Sequence, residues 1–498
     1  MTMMMTALVA SVCLAQDDLA SIREEMARLR EENARLAEKV ARLEAHAAED
    51  GGWLTEERAQ EIRAVVADAL ADSASRASLA ADGATAGWDK SKGFFLASGD
   101  GNFSLVIRGD GQFRWNYNAR DIGAATAATG SPAETSAGET YGFEWRRARL
   151  IFTGNVIDPS WTFDVKFANN RSATSGNTGY LDDAFVQKAL DGGYTLRFGQ
   201  FKVPFLREDQ VSASAQLAVE RSLVNEVFGV SRSQGVAAGW SGEGLRAEVS
   251  FTDALRANAT APTTGAGAAG GVATGQNTGF SQQTTDYAFA GRLELKPAGE
   301  WKQFKDMQSF AGDPMGVLVG IGGYIEQVDA VSGTTATPDR VWAATADLSL
   351  EFGGASVLVA AVYRDVLLQG AQATRGGGTD DSLEQWGALA QAGWFATDSV
   401  ELFARYEMGD TDTDRFRIAA SALAADAEQD SILTVGANWW PAGAKSKWVK
   451  LTADIGYAFD PIVDFNGSGA GWLVDYTAAG GQTNDGQWLL RTQMQFQF

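Results

Sequence analysis

The chain has 498 residues, with 63 acids against 41 bases and only one His and one Cys. The acidic excess argues against a nucleic-acid binder, and two candidate ligands fall short of the roughly four that structural zinc takes. A lone cysteine forms no internal disulfide, and a Ser-His-Asp or Cys-His centre would have to recruit His46 from a charged helical stretch.

No run of about 18 apolar residues marks a transmembrane helix. Fifty-six Gly, only 9 Pro, and 26 Phe, 15 Trp and 10 Tyr leave another option open. It is an outer-membrane β-barrel, whose alternating strands average to neutral hydropathy.

In chain order, Met3 to Ala15 is a short apolar run ending in small-x-small Cys13-Leu14-Ala15, so residues 1–15 read as a signal peptide cut after Ala15. Cys13 follows Val12 rather than a small residue, which argues against a lipid-acceptor cysteine. Residues 16–50 carry heptads: Leu19, Met26, Asn33 and Val40 at a, and Ile22, Leu29, Leu36 and Leu43 at d. Such a seam needs a partner, and Glu25 with Arg30 and Lys39 with Glu44 suit a parallel register, so the expectation is a coiled coil and an oligomer. Asn33 with Leu at d leans to two strands, while Met and Leu at a tolerate three. Residues 51–92 begin at the breaker Gly51-Gly52. A short helix follows, capped by Thr55 with Glu56 and Glu57 in its first turn, and then a small-residue linker.

From residue 93 the period changes from 3.6 to 2. Leu105, Ile107, Phe113, Trp115 and Tyr117 share one parity, and Arg108, Asp110, Gln112, Arg114 and Asn116 share the other. Trp488, Leu490, Met494, Phe496 and Phe498 repeat this against Gln487, Arg491, Gln493, Gln495 and Gln497. Connections alternate between short turns, such as 191–193 and 353–354, and long loops, such as 203–233 and 253–286. The exception is 297–315, a long segment where a short turn is due. Legs from 103–117 to 487–498 number sixteen, and an even count returns both ends to one side. Aromatics gather at strand ends, as in Trp439-Trp440, Trp394-Phe395 and Trp145. The fold class expected is therefore all-β: a 16-stranded antiparallel transmembrane barrel over 93–498, behind a coiled coil. Phe498, closing an alternating strand, reads as an assembly signal for the barrel assembly machinery.

Sixteen strands leave an aqueous lumen, so selectivity depends on inward charges and any infolded loop. Parity points Arg147, Arg149 and Arg197 inward and puts Arg146 on the opposite face, at a rim or a subunit contact. Two roles stay open for the arginines: a stepwise anion path, or pairing with Asp164, Asp182 or Asp183 to set the field across the pore. Adjacent Asp182 and Asp183 are not expected to share a strand face. Segment 203–233 is the candidate constriction loop, with Arg207, Glu208, Asp209, Glu220, Arg221 and Arg232 supplying both signs. Asp410-Thr411-Asp412-Thr413-Asp414 lacks the Gly and Glu of a calcium loop, so no metal and no cofactor is expected.

Phe143 to Gly154 (FEWRRARLIFTG), Gly179 to Ala184 (GYLDDA), Leu196 to Phe205 (LRFGQFKVPF), Val219 to Leu223 (VERSL) and Ile432 to Trp440 (ILTVGANWW) resemble the phosphate-selective porin O and P family. The resemblance implies a trimeric sixteen-stranded porin with a constricting third loop, an arginine ladder and a lysine cluster at the narrowing. The ladder carries over to Arg147, Arg146 and Arg149, and the acidic position to Asp182 or Asp183. The family's loop lysine falls on Ser214, so that basic cluster is incomplete here.

The expected function is passive diffusion of small hydrophilic solutes, with anion preference an open option, by a homotrimer in outer-membrane lipid. The alternative is a structural protein whose periplasmic coiled coil links the membrane to peptidoglycan. No enzymatic chemistry and no nucleic-acid partner is expected.

Overall fold

A computed structural model describes residues 34, 35, 37–39, 83–89, 93–120, 139–172, 176–255, 285–328, 338–374, 378–412, 430–446, 448–460, 462, 470–473 and 486–498. Two units partition the chain, Met1–Asp82 and Gly83–Phe498. In the first, Ala34, Arg35, Ala37, Glu38 and Lys39 are helical and exposed. The signal peptide, the seam residues Leu19, Ile22, Met26, Leu29, Asn33, Leu36, Val40 and Leu43, and the helix after Thr55 lie outside the described residues, as do His46, Thr413 and Asp414.

The second unit opens with a hairpin: β1 (Thr85–Asp89), in the stretch read from the sequence as linker, and β2 (Gly93–Ala97), ahead of the first expected barrel leg. The barrel strands are β3 (Ser104–Arg120), β4 (Glu139–Val156), β5 (Asp158–Ser172), β6 (Gly176–Ala189), β7 (Tyr194–Lys202), β8 (Arg232–Ser241), β9 (Leu245–Thr252) and β10 (Thr285–Ala298). They continue as β11 (Gly316–Val328), β12 (Pro338–Glu351), β13 (Ala355–Ala373), β14 (Thr379–Thr397), β15 (Val400–Asp410), β16 (Asp430–Trp439), β17 (Val449–Ala458) and β18 (Gln487–Gln497). Each pairs antiparallel with the next, and β18 pairs with β3, closing a sixteen-stranded barrel. The sixteen legs match those read from the alternation, and several run further at the long-loop rim. There β13 continues to Ala373 and β5 to Ser172, because a backbone ladder persists after the apolar face has ended.

The outward face carries the exposed aromatic and aliphatic side chains, including Phe143, Trp145, Phe167, Val249, Trp394 and Trp439. At the closing seam, Phe498 and Gly109 exchange two backbone hydrogen bonds at 3.0 Å. The Phe498 ring lies where a Cβ on Gly109 would be, and Phe496 does the same over Gly111. Two glycines on β3 thus make room for two rings on β18. Below that point β2 takes over the edge of β3, pairing Phe94 with Ile107 through Ala97 with Ser104.

One departure from the simple barrel pattern matters for function. On β11 to β18 many inward residues are apolar and buried, among them Tyr324, Val341, Val362, Val366, Leu383 and Ile432. They form one cluster with Val203, Phe205, Leu223, Val227 and Phe228 of segment 203–231. Water does not wet this half of the lumen, so its wall follows the rule of a protein core rather than that of a pore.

Candidate functional site

Segment 203–231 leaves β7 and folds into the barrel. It contains two short helices, α1 (Arg207–Gln210) and α2 (Leu223–Phe228), and is buried over most of its length. An irregular segment out of water carries carbonyl and amide groups that need partners, and the barrel wall supplies them. Arg292 donates to the Phe205 carbonyl at 2.9 Å, Gln112 to Ala213 at 3.1 Å, Gln495 to Ser214 at 2.8 Å and Lys450 to Gln216 at 2.9 Å. Asn438 donates to Leu217 at 2.8 Å, Arg405 to Glu220 at 2.8 Å and Arg364 to Val227 at 2.9 Å. Carboxylates complete the set from the other side: Asp454 accepts from the Val219 amide at 3.0 Å, and Glu407 from the Leu223 amide that opens α2. The contacts that involve a charged group net about 1.5–3 kcal/mol each and the amide ones of Gln112, Gln495 and Asn438 about 0.5–1.5, so the segment is fastened along its whole length.

Its own charges do the same work internally. Arg207 donates to the Phe304 carbonyl, and Arg221 to the Val211 and Glu208 carbonyls. Glu208 accepts from the amide and hydroxyl of Ser222. Burial pushes the Glu208 carboxyl up, against the pull of Arg405 and Ser222. The sequence reading placed Arg207, Glu208 and Arg221 on the pore. Instead, at 5%, 5% and 9% exposure, they are interior struts. Charge content alone does not separate a field-setting residue from one that satisfies buried backbone. Lys202, at the end of β7, is a further strut, donating to the carbonyls of Asp209, Gln210 and Val211.

The arginine cluster sits where the segment meets β3 and β4. Arg147 donates to Glu220 at 2.6 Å, Arg146 at 2.8 Å and Arg114 at 2.8 Å, so three guanidiniums share one carboxylate. Burial opposes ionisation of Glu220, but Arg147, Arg146 and Arg114 outweigh it and hold its carboxyl well below the usual carboxylate range. Strand parity placed Arg146 on the opposite face from Arg147. The register shifts between Gln112 and Phe113, leaving Arg146 as the extra residue of a β-bulge and bringing it to the Arg147 side.

A second bulge makes the same correction at the acids. Asp183 pairs with Lys166 across the ladder and Leu181 with Phe167, so Asp182 is the extra residue. Asp182 and Asp183 therefore do share a side, and Arg232 binds both, at 3.0 Å and 2.6 Å. Lys166 also donates to Asp183. Gln200 donates to the Leu181 and Asp182 carbonyls at the bulge, where regular pairing is interrupted.

Arg149 is bound by Asp110 at 2.6 Å and is nearly buried. Arg197 pairs with Glu248 at 2.9 Å and lies over the Phe185 and Phe201 rings. Its side chain is 21% exposed and that of Glu248 28%, against 1% for Arg491 on the filled side. Arg108, which the sequence reading put on the polar face without a role, is exposed beside Thr153. The wetted inner wall thus runs over β3 to β9, opposite the packed half. Ser214, at the loop tip, contacts Ser212 and Gln495.

The sequence reading also missed the wall residues that hold the segment: Arg114, Arg292, Arg364, Arg405, Glu407, Asn438, Lys450 and Asp454. Inward parity was visible for them, but their partners lie up to 235 residues away.

The family model for phosphate-selective porin O and P matches residues 128–453. No curated protein sequence matches the chain. Among solved structures, the chain is similar to the outer membrane channel DcaP of Acinetobacter baumannii, with 11% identity, 79% of this chain and 98% of that chain covered, and a TM-score of 0.47. Salmonella typhi OmpF, in complex with daunomycin, is similar at 12% identity, 80% and 98% coverage and a TM-score of 0.44. OprB of Pseudomonas putida is similar at 8% identity, 80% and 95% coverage and a TM-score of 0.45.

Proposed function

The chain belongs to the phosphate-selective porin O and P family, and on that premise we propose that its outer-membrane channel is a passive diffusion pore preferring small anions. The family and the fold point to a channel rather than an enzyme. The observation that carries the anion preference is the triple contact of Arg114, Arg146 and Arg147 with Glu220. Three guanidiniums against Glu220 and, 3.8 Å from Arg114, Glu144 still leave a positive surplus where the infolded segment meets the wall. A cationic surplus at a narrowing lowers the barrier to anions and raises it to cations.

Arg108 and Arg197 extend basic groups along the wetted wall, while Asp183 and Glu248 moderate the field there. Arg149, Arg232 and Asp182 set the potential from behind, through their pairing. The path runs along β3 to β9, beside the packed segment. Ser214 stands where the family resemblance places a lysine, so the pore reads as anion-preferring, with phosphate one of several substrates.

The proposed assembly is a homotrimer. Residues 1–15 act as signal peptide and 16–50 as a periplasmic parallel coiled coil, joined through 51–92 to the barrel, and Phe498 is read by the barrel assembly machinery. The heptad spacing and the terminal alternation support these assignments. The coiled coil then points toward peptidoglycan.

Planar-bilayer recording tests the reading. Under a potassium chloride gradient, the protein is expected to give discrete steps with a reversal potential on the chloride side. Cation-side reversal defeats the anion preference. Absence of any conductance, with peptidoglycan co-purifying, replaces the channel reading with tethering.

A further inference from the structure

The connection 299–315, between β10 and β11, is longer than the nine-residue connection 440–448 on the same rim and far longer than that rim's remaining turns. It folds inward instead of crossing directly. Gln303, Phe304, Asp306, Met307, Gln308, Ser309 and Phe310 are all buried. Phe310 reaches across to β14 and the end of β16, its ring centroid 5.4 Å from Phe395 and 6.0 Å from Trp440. Ser309 accepts from the Gly353 amide at 3.1 Å, and Gln303 donates to Glu351 at 3.2 Å, fixing the turn at both ends.

Inside the barrel this turn meets segment 203–231, which enters from the opposite rim. The Met307 amide donates to the Ala215 carbonyl at 3.1 Å, and the Gln308 side chain to the Gln216 carbonyl at 2.9 Å. Arg207 donates to the Phe304 carbonyl. Met307 packs into a cluster with Val211, Leu217, Leu358, Leu389 and Phe403. Two segments from opposite ends of the barrel are thus joined backbone to backbone inside it, toward the short-turn rim, where Leu358, Phe403 and Asn438 lie.

We propose that the turn 299–315 is a second constricting element, which closes the β11–β16 half of the lumen and holds the tip of segment 203–231 in its conducting position. This rests on the channel reading above. The loop alone is anchored to the wall by side chains, which can exchange partners. The turn adds a main-chain contact to the tip and an aromatic anchor on the far wall. Its removal takes the Met307 and Gln308 donors away from the Ala215 and Gln216 carbonyls and opens a path through the half of the lumen now packed.

Three variants in a Cys13→Ser background decide the matter, with folding checked by heat-modifiable gel mobility. Replacing residues 301–313 by a two-residue turn is expected to raise single-channel conductance by about twofold or more and to weaken ion selectivity. Phe310→Ala is expected to add open-channel noise at near-normal conductance. A disulfide between Ala215→Cys and Met307→Cys, placed at the backbone hydrogen bond that joins them, is expected to suppress the noise that Phe310→Ala adds.

An unaltered conductance in the shortened variant overturns the proposal, as does a cross-linked pair that blocks current until reduced. If the shortened variant does not fold, a quiet Phe310→Ala channel or a blocked cross-linked one still overturns it. Failure of the unmodified protein to conduct would instead defeat the channel reading itself.

Discussion

Arg147 and Glu220 are joined by two hydrogen bonds, at 2.6 and 3.0 Å, and Arg146, the preceding residue, reaches the same carboxylate. Neighbouring residues of a regular strand face opposite ways, so this sharing depends on the bulge opposite Gln112 and Phe113. Glu220 is therefore both the latch of the infolded segment and the acid that all three arginines share, with Glu144 a second acid 3.8 Å from Arg114. Glu220→Gln is expected to shift the zero-current potential further toward anions while weakening the latch by about 3–5 kcal/mol, the usual cost of breaking a buried pair. Arg147→Ala is expected to shift it the opposite way. Bi-ionic potentials of both variants check this, and shifts of the same sign in the two would remove the cluster from the selectivity mechanism.

The acids at the second bulge are not equivalent. Asp183 binds both Arg232 and Lys166, whereas the one ion pair of Asp182 among the described residues is with Arg232. Asp183→Asn is thus expected to release Lys166 toward the lumen, leave Arg232 on Asp182, and increase anion preference. Asp182→Asn should have the smaller effect, since Arg232 keeps its contact with Asp183. Reversal potentials measured side by side decide it, and equal shifts would mean that the two carboxylates act as one charge.

The sixteen strands were legible because lipid imposes a period-2 pattern on every one of them. The infolding of 203–231 was legible from its length and its mixed charges. What parity could not give were the bulges: an extra residue at Arg146 or Asp182 leaves no mark in the alternation, and only the partner strand reveals it. Nor could charge content assign Arg207, Glu208 and Arg221, since a buried carbonyl attracts a guanidinium as well as a solute does. The hairpin β1–β2 was missed for a further reason. Its first strand, TAGWD, is too short and too small in side chain to alternate, and its pairing comes from β2 and, through it, β3.

The pH response follows from Glu220. Its carboxyl is held below the usual range by three guanidiniums, so the folded form binds its proton less readily than the unfolded chain. The stability this contributes is fully present above the unfolded value, near 4.3, and is lost as pH falls through the lower folded one. Glu208 has the opposite sign: burial raises it, and the protonated form favours the folded segment. Between pH 7 and 5 the latch therefore holds, and selectivity is expected to stay constant in bilayer recordings over that range. Loosening, seen as conductance noise or protease cleavage within 203–231, is expected only well below pH 4. A midpoint between pH 5 and 7 would point to a different group.

The seam offers a test of stability separate from conduction. A Cβ at Gly111 would fall 2.4 Å from the Phe496 ring, and one at Gly109 2.3 Å from the Phe498 ring. The ring at Phe496 is also wedged by Trp145, whose centroid lies 6.1 Å away at a right angle, so it has little room to retreat. Gly111→Val is expected to destabilise closure by about 1–3 kcal/mol through overpacking. Phe496→Ala removes the same contact without a clash, and with it the cover over Gly111. In the double variant Gly111→Val/Phe496→Ala the added methyls occupy part of the space the ring has left, so the combination is expected to be more stable than the sum of the single effects. Thermal shifts of the folded band on gels give the three values. Strict additivity would show that ring and glycine do not share this space.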